Sequence, residues 1–105
     1  MAINLEKLIE ENQNVLAIVV GTTTCTTCME WVPNVLSPAC ESLNVPVITV
    51  YMDIDFIPTP SPFTPTTYFY VKGHRDPMII TGPEPIEQII DRLEACFTEL
   101  EKTNN

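Results

Sequence analysis

The feature that most constrains this chain is a pair of cysteines placed between a buried strand and a helix, within residues 15–33 (VLAIVVGTTTCTTCMEWVP). Residues 15–20 are all apolar and rich in β-branched side chains, which predicts a strand buried on both faces. Gly21 and three threonines then break the run, and Cys25 and Cys28 follow at the start of a segment with helical character. The predicted order is therefore strand, turn, Cys-x-x-Cys and helix.

The position of the cysteines at a predicted helix start indicates a chemical role. The first turn of a helix has backbone N–H groups without partners and carries partial positive charge, so it stabilises a thiolate. We therefore expect the pKa of Cys25 to fall below that of a free thiol, which makes more of the nucleophilic form available near neutral pH. Cys28, one helical turn later, can attack a mixed disulfide on Cys25 and release the reduced substrate. The spacing predicts a dithiol pair that cycles with its disulfide.

The spacing alone leaves two other interpretations open, since a Cys-x-x-Cys pair also supplies half of many zinc sites or serves as a structural or idle pair. The other half of a metal site is not evident, because Cys40 and Cys96 are far apart in the sequence and His74 is the single histidine. Redox chemistry is the favoured interpretation, with no metal and no cofactor expected. Cys40 and Cys96 are predicted to be buried free thiols, although a disulfide between them stays open.

Further motifs complete a family pattern. Pro33 lies five residues after Cys28, residues 64–73 (TPTTYFYVKG) open a strand with Thr-Pro-Thr and end it with Lys-Gly, and Gly82 precedes the last predicted helix. In this combination the chain resembles the thioredoxin family over nearly its whole length. The resemblance implies an α/β fold, a thioredoxin-like three-layer sandwich. Its mixed sheet has four strands, or five if residues 1–3 pair, with helices on both faces.

The resemblance also implies an activity, that of a small thiol-disulfide oxidoreductase. Cys25 would attack a protein disulfide and Cys28 would resolve the intermediate. The Thr64-Pro65 bond is expected to be cis and packed against both cysteines, with the backbone of Thr64 facing the site to pair with substrate. The implied partners are disulfide-containing protein substrates and a thioredoxin-reductase-like enzyme or another thiol reductant.

The chain departs from the thioredoxin pattern at several positions. Val19 stands where the family has a buried aspartate, six residues before the first cysteine, so the usual general base for Cys28 is missing. Thr26 and Thr27 replace the usual Gly-Pro, and their hydroxyl or N–H groups are expected either to contact the thiolate or simply to tolerate a helix start. Residues 56–65 contain 4 prolines, which predict an extended loop in place of a family helix.

The remaining segments supply the other helices and strands. Apolar spacing predicts a short helix over residues 4–12, the cysteine-bearing helix over 28–43 with a kink at Pro33, and a last helix from Pro85. The apolar residues 45–52 predict a central strand parallel to the first. Residues 66–71 and 78–81 predict an antiparallel hairpin with His74 in its solvated turn. Trp31 is predicted to pack in the core.

Length and charge bound the remaining possibilities. At 105 residues the chain is expected to form one domain, residues 1–105. With 14 acidic residues against 5 basic ones, the formal charge is −9, which argues against a nucleic-acid partner. The sequence shows no membrane-spanning apolar run and no signal-peptide pattern, so a cytoplasmic protein is expected, as a monomer.

Three alternative functions stay open at this level. One is a glutaredoxin-like electron donor, although no cationic clamp for glutathione is evident near the cysteines. Another is a non-enzymatic module that binds a partner through its acidic surface and proline-rich loop. The third is a dimer that shares zinc between two Cys-x-x-Cys pairs.

Overall fold

The elements of the fold are seen in a computed structural model, which describes residues 5–53, 64–74 and 76–103. In chain order they are α1 (Leu5–Glu11), β1 (Val15–Gly21), α2 (Thr26–Trp31), a π-helical segment (Val32–Leu36), α3 (Ser37–Ser42), β2 (Val47–Tyr51), β3 (Thr66–Val71), β4 (Met78–Thr81) and α4 (Ile86–Thr103). The predicted loop over residues 56–65 lies almost wholly outside the described residues, as does a fifth strand from residues 1–3.

The strands form one mixed sheet in the order β2-β1-β3-β4. β1 is parallel to β2 and antiparallel to β3, and β3 and β4 form the predicted antiparallel hairpin. The prediction of a mixed sheet with four strands is confirmed. The central position predicted for β2 is wrong for the described sheet, where β2 lies at one edge and only Val50 is fully buried. An apolar, β-branched composition indicates a strand but does not distinguish an edge from a centre.

Burial along β1 explains why helices lie on both faces of the sheet. All seven residues of β1 are buried, as the unbroken apolar run predicted. Successive side chains point to opposite faces, so Val15, Ala17 and Val19 join a core that includes residues of α3 and α4. Leu16 and Ile18 join a smaller cluster against which Leu8 and Ile9 of α1 pack, together with Tyr70. The predicted arrangement of helices on both faces is confirmed.

The helix that follows the cysteines begins earlier than predicted and changes its winding. It begins at Thr26, two residues before the predicted start, because Cys25 acts as its N-cap. Pro33 lies in the π-helical segment, at whose end the N–H of Ser37 donates to the carbonyl oxygen of Val32, five residues back. Proline has no N–H for the α-helical bond, and a π turn accommodates that loss. Pro38 falls in the first turn of α3, where a missing N–H is tolerated.

The last helix packs beside the cysteine-bearing helix. Its predicted apolar face is buried at Ile89, Leu93, Cys96 and Leu100, whereas Ile86 stays exposed. Trp31 is buried, as predicted, and its indole Nε1 donates to the carbonyl oxygen of Glu84 at 2.8 Å. This bond joins the end of α2 to the turn before α4. Within the described part of the chain, no helix has both the length and the apolarity that crossing a bilayer requires.

Candidate active site

The two cysteines lie where the chain turns from the end of β1 into α2. Cys25 has an extended backbone (φ −81°, ψ 101°), and its Sγ accepts a hydrogen bond from the backbone N–H of Cys28 at 3.1 Å. The N–H of Met29 donates to the carbonyl oxygen of Cys25 at 3.1 Å, which is the first bond of the helix. Cys25 therefore satisfies one of the helix's free N–H groups with a sulfur atom, as serine or aspartate does with oxygen.

The two sulfur atoms are bonded to each other but differ in exposure. Cys25 and Cys28 form a disulfide with a Cα–Cα distance of 5.3 Å. Cys25 is partly exposed, whereas Cys28 is 4% exposed and packs into the protein. An incoming disulfide can reach the first sulfur far more readily than the second, so the two cysteines are not equivalent.

Gly21 allows the Cys28 side chain to lie directly on the end of β1. A Cβ built at position 21 would lie 3.0 Å from the Sγ of Cys28 and 3.3 Å from its Cβ. A side chain at position 21 would therefore be in tight contact with Cys28, which glycine avoids. The sequence identified Gly21 only as the residue that ends a strand, and it contains no local signal for this contact.

The sheet register brings Pro65 close to Gly21, against which the Cys28 side chain lies. Val20 pairs with Thr66, and continuing this register by one residue puts Pro65 opposite Gly21. The Thr64-Pro65 bond is cis, as predicted. Pro65 is buried, and its carbonyl oxygen accepts from the N–H of Gly82 at 2.7 Å, while Thr64 is half-buried. Pro65, which directly precedes β3, thus lies beside the end of β1 that Cys28 contacts.

Asp53, which follows β2, holds the loop that leads into the cysteines. The backbone N–H of Thr23 donates to both carboxylate oxygens, at 3.1 and 3.3 Å, and the Thr23 hydroxyl donates to Oδ2. These bonds, the hydroxyl's first, hold the pKa of the Asp53 carboxyl below its usual range. The sequence patterns did not predict this role for Asp53. The available signal was an acidic residue directly after the strand parallel to β1.

A pocket of about 230 Å³ adjoins Cys28 on the side of β2. Its lining is mostly apolar and includes two hydroxyl-bearing side chains; the residues are Val19, Gly21, Cys28, Met29, Val32, Pro33, Thr49 and Tyr51. Val19 is buried in the wall of this pocket, at the position of the family's aspartate. No carboxylate of the described residues lines the pocket.

The other predicted site residues and the two remaining cysteines differ in exposure. Thr26 and Thr27 are exposed in the first turn of α2, between the two cysteines, and their contact with a thiolate stays a prediction. Cys40 and Cys96 are free and buried, as predicted, and burial raises the pKa of the first thiol to about 12 and of the second to about 11. The described residues contain no cluster of three or more histidine, cysteine or acidic side chains that could hold a metal ion.

Several solved structures that resemble this one are thioredoxins. A chloroplastic thioredoxin z superposes with a TM-score of 0.74 at 21% identity, over 88% of this chain and 86% of the other. A thioredoxin from Aeropyrum pernix gives 0.61 at 19% identity (90% and 85% covered), and one from Malassezia sympodialis gives 0.59 at 19% identity (93% and 87%). No family model and no curated protein matches the chain. The protein therefore has the thioredoxin fold, which confirms at the level of fold the resemblance seen in the sequence.

Proposed function

We propose that the protein is a small thiol-disulfide oxidoreductase that reduces or exchanges protein disulfides through Cys25 and Cys28. One observation carries the proposal: a partly exposed sulfur caps a helix and accepts a backbone N–H, with a buried sulfur bonded to it. An N–H donated to sulfur favours the thiolate over the thiol, so it lowers the pKa of Cys25 in the reduced protein. The difference in exposure supports Cys25 as the nucleophile and Cys28 as the resolving thiol.

The reaction follows from those roles. The Cys25 thiolate attacks one sulfur of a substrate disulfide, forms a mixed disulfide and expels the other substrate sulfur as a thiolate, which takes up a proton. The Cys28 thiolate then attacks the Cys25 sulfur, forms the Cys25–Cys28 disulfide and expels the second substrate thiolate. Two electrons pass to the substrate, and a thioredoxin-reductase-like enzyme or another thiol reductant returns them to the protein.

Substrate contacts are proposed from the residues that border the pair. We propose that the backbone of Thr64, next to the cis bond at Pro65, pairs with an extended segment of the substrate, which is a common way to bind a polypeptide at a strand. Thr26 and Thr27 offer hydroxyl groups on the solvent side of the cysteines. We further propose that the chain acts as a single-domain monomer in the cytoplasm.

The test is reduction of insulin by dithiothreitol, with and without the protein. Wild type is expected to accelerate the reduction, and Cys25→Ser to abolish the acceleration. Cys28→Ser is expected to stop turnover at a stable mixed disulfide, visible by mass spectrometry. Cys96→Ala is the matched control, because that thiol is buried on α4 and takes no part in the chemistry. Equal rates for wild type and Cys25→Ser would overturn the proposal.

The same preparations distinguish the alternatives. A glutaredoxin-like donor would work in a glutathione-coupled assay at least as well as with dithiothreitol. A binding module would retain its partner when both cysteines are replaced. A zinc-sharing dimer would contain zinc on metal analysis and have twice the monomer mass in solution.

A further inference from the structure

The resolving step requires that the thiol of Cys28 lose its proton. Cys28 attacks as a thiolate, so its S–H proton must leave before the Cys25–Cys28 bond forms. Cys28 is 4% exposed, and the side chain beneath it at the family's carboxylate position is Val19. The inference below rests on the proposed function and concerns where this proton goes.

The pocket beside Cys28 is a route from the buried sulfur to solvent. Its volume of about 230 Å³ far exceeds the roughly 15 Å³ that one water molecule needs. Water also needs polar partners to stay in such a place. The pocket is bordered by the Cys28 sulfur and by Thr49 and Tyr51, whose side chains carry the hydroxyl groups of its lining.

The sheet register explains why Thr49 suits this position. Val19 pairs directly with Thr49 in the parallel ladder of β1 and β2, so both side chains lie on the face that carries the cysteine-bearing helix. On the other side of Val19, Thr67 of β3 occupies the same row and the same face. Thr49 lines the pocket and Thr67 does not. Thr49 and Thr67 thus share Val19 as their cross-strand neighbour, but only Thr49 lines the pocket beside Cys28.

We propose that water held in this pocket by the side chain of Thr49 accepts the proton of Cys28, so that Thr49 is a positioning residue for the resolving step. The hydroxyl accepts a hydrogen bond from the water in the thiol state and donates one in the thiolate state, because a hydroxyl can do both. The proton passes through the pocket to bulk solvent. The electron pair left on Cys28 Sγ forms the bond to Cys25, and the substrate thiolate that leaves takes up a proton from water.

Few titratable groups face Cys28 in the part of the chain that the structure describes. Cys25, the N-cap of α2, is held in the mixed disulfide during this step and does not titrate. Tyr51 from β2 lines the pocket. From β3, the residues of the facing rows are Pro65 and Thr67, which do not ionise. Among the described residues, the dependence of the resolving rate on pH is therefore expected to report Cys28.

The experiment isolates the resolving step with an aromatic disulfide probe, 5,5′-dithiobis(2-nitrobenzoate). Reduced protein reacts with one equivalent, and Cys25 releases the first coloured thiol as it forms the mixed disulfide. Cys28 then releases the second, and stopped flow gives this rate against pH. In Thr49→Val the rate near neutral pH is expected to fall by about three- to tenfold, the effect of one lost hydrogen bond. The two rates are expected to converge at high pH, and Thr49→Ser to restore the wild-type profile.

Thr67→Val is the matched control and is expected to leave the profile unchanged. The inference is overturned if Thr49→Val has the wild-type profile, or if its rate falls by the same factor at every pH, since a packing defect does not depend on protonation. Failure of the proposed function looks different: wild type itself then releases no second thiol, whatever stands at position 49.

Discussion

Replacing Thr67 by valine should make the protein more stable. Thr67 lies in the middle of β3 with none of its surface exposed, and its hydroxyl oxygen has no hydrogen-bond partner among the described residues. Its cross-strand neighbours are Val19 and Ile80, both in the main core. A buried polar group without a partner costs about 1–3 kcal/mol. Valine has nearly the same shape, so it removes this cost without opening a cavity.

The expected gain is about 1–2 kcal/mol in the free energy of unfolding, at the lower end of that cost because the strand relaxes around the substitution. For a domain of this size, such a gain raises the Tm by roughly 5–10 °C. The assay is urea unfolding followed by the fluorescence of Trp31, the single tryptophan, which is buried in the folded state. Far-UV circular dichroism provides an independent probe, and an unchanged m value would show that only stability differs.

Thr81→Val serves as the control for this substitution. Thr81 lies on β4 and is exposed, so valine there tests strand propensity alone and should change stability by less than about 0.5 kcal/mol. An equal or lower unfolding midpoint for Thr67→Val would refute the reasoning, because it would mean that the hydroxyl already has a partner in the folded protein.

Three further predictions concern the site and the buried thiols. Folding lowers the pKa of Asp53, so its contribution to stability is present above about pH 4, the unfolded pKa, and is lost as the pH falls through the folded value. Asp53→Asn should therefore show a smaller loss of stability on acidification than wild type in urea titrations, and an identical loss would contradict the role of this carboxylate. Gly21→Ala puts a methyl group 3.0 Å from the Cys28 sulfur, which crowds the disulfide more than the free thiols. Its reduction potential should rise by up to about 60 mV, measured by equilibration with a dithiol buffer, and an unchanged potential would be evidence against the contact. Burial raises the pKa of Cys40 from 9.0 to about 12 and that of Cys96 to about 11. Iodoacetamide at about pH 8 should therefore label Cys25 of the reduced native protein and leave Cys40 and Cys96 unlabelled until urea is added. Mass spectrometry that finds Cys40 or Cys96 labelled before unfolding would show this to be wrong.

Much of the fold follows from local patterns in the sequence. The unbroken apolar run of residues 15–20 predicts a strand buried on both faces, and β1 is that strand. The hairpin of β3 and β4 and the apolar face of α4 are found where the turn residues and the helical spacing predicted them. These predictions succeed because the period of apolar residues reports which sides of an element are buried, whatever packs against them.

The errors come from features that local patterns do not encode. The cysteine-bearing helix begins at Thr26 because the Cys25 sulfur caps it. Cysteine is not among the residues that usually mark the start of a helix, which are serine, threonine, aspartate and asparagine. β2 is as apolar as a central strand yet lies at the edge of the described sheet. The π-helical winding around Pro33 depends on how the helix accommodates a missing donor, for which the sequence predicts a kink but not its geometry.

The sequence by itself determined which reactive groups the site contains. These are two thiols one helical turn apart after a buried strand, without the carboxylate that thioredoxins place beneath them. The tertiary structure decided which groups surround those thiols. Thr23 meets Asp53 across 30 residues, Trp31 meets Glu84 across 53, and Gly21 meets Cys28 in the wall of a pocket shared with Thr49. The reason is physical: periodicity is a property of one segment, whereas contacts and the space left between them arise only when distant segments pack together.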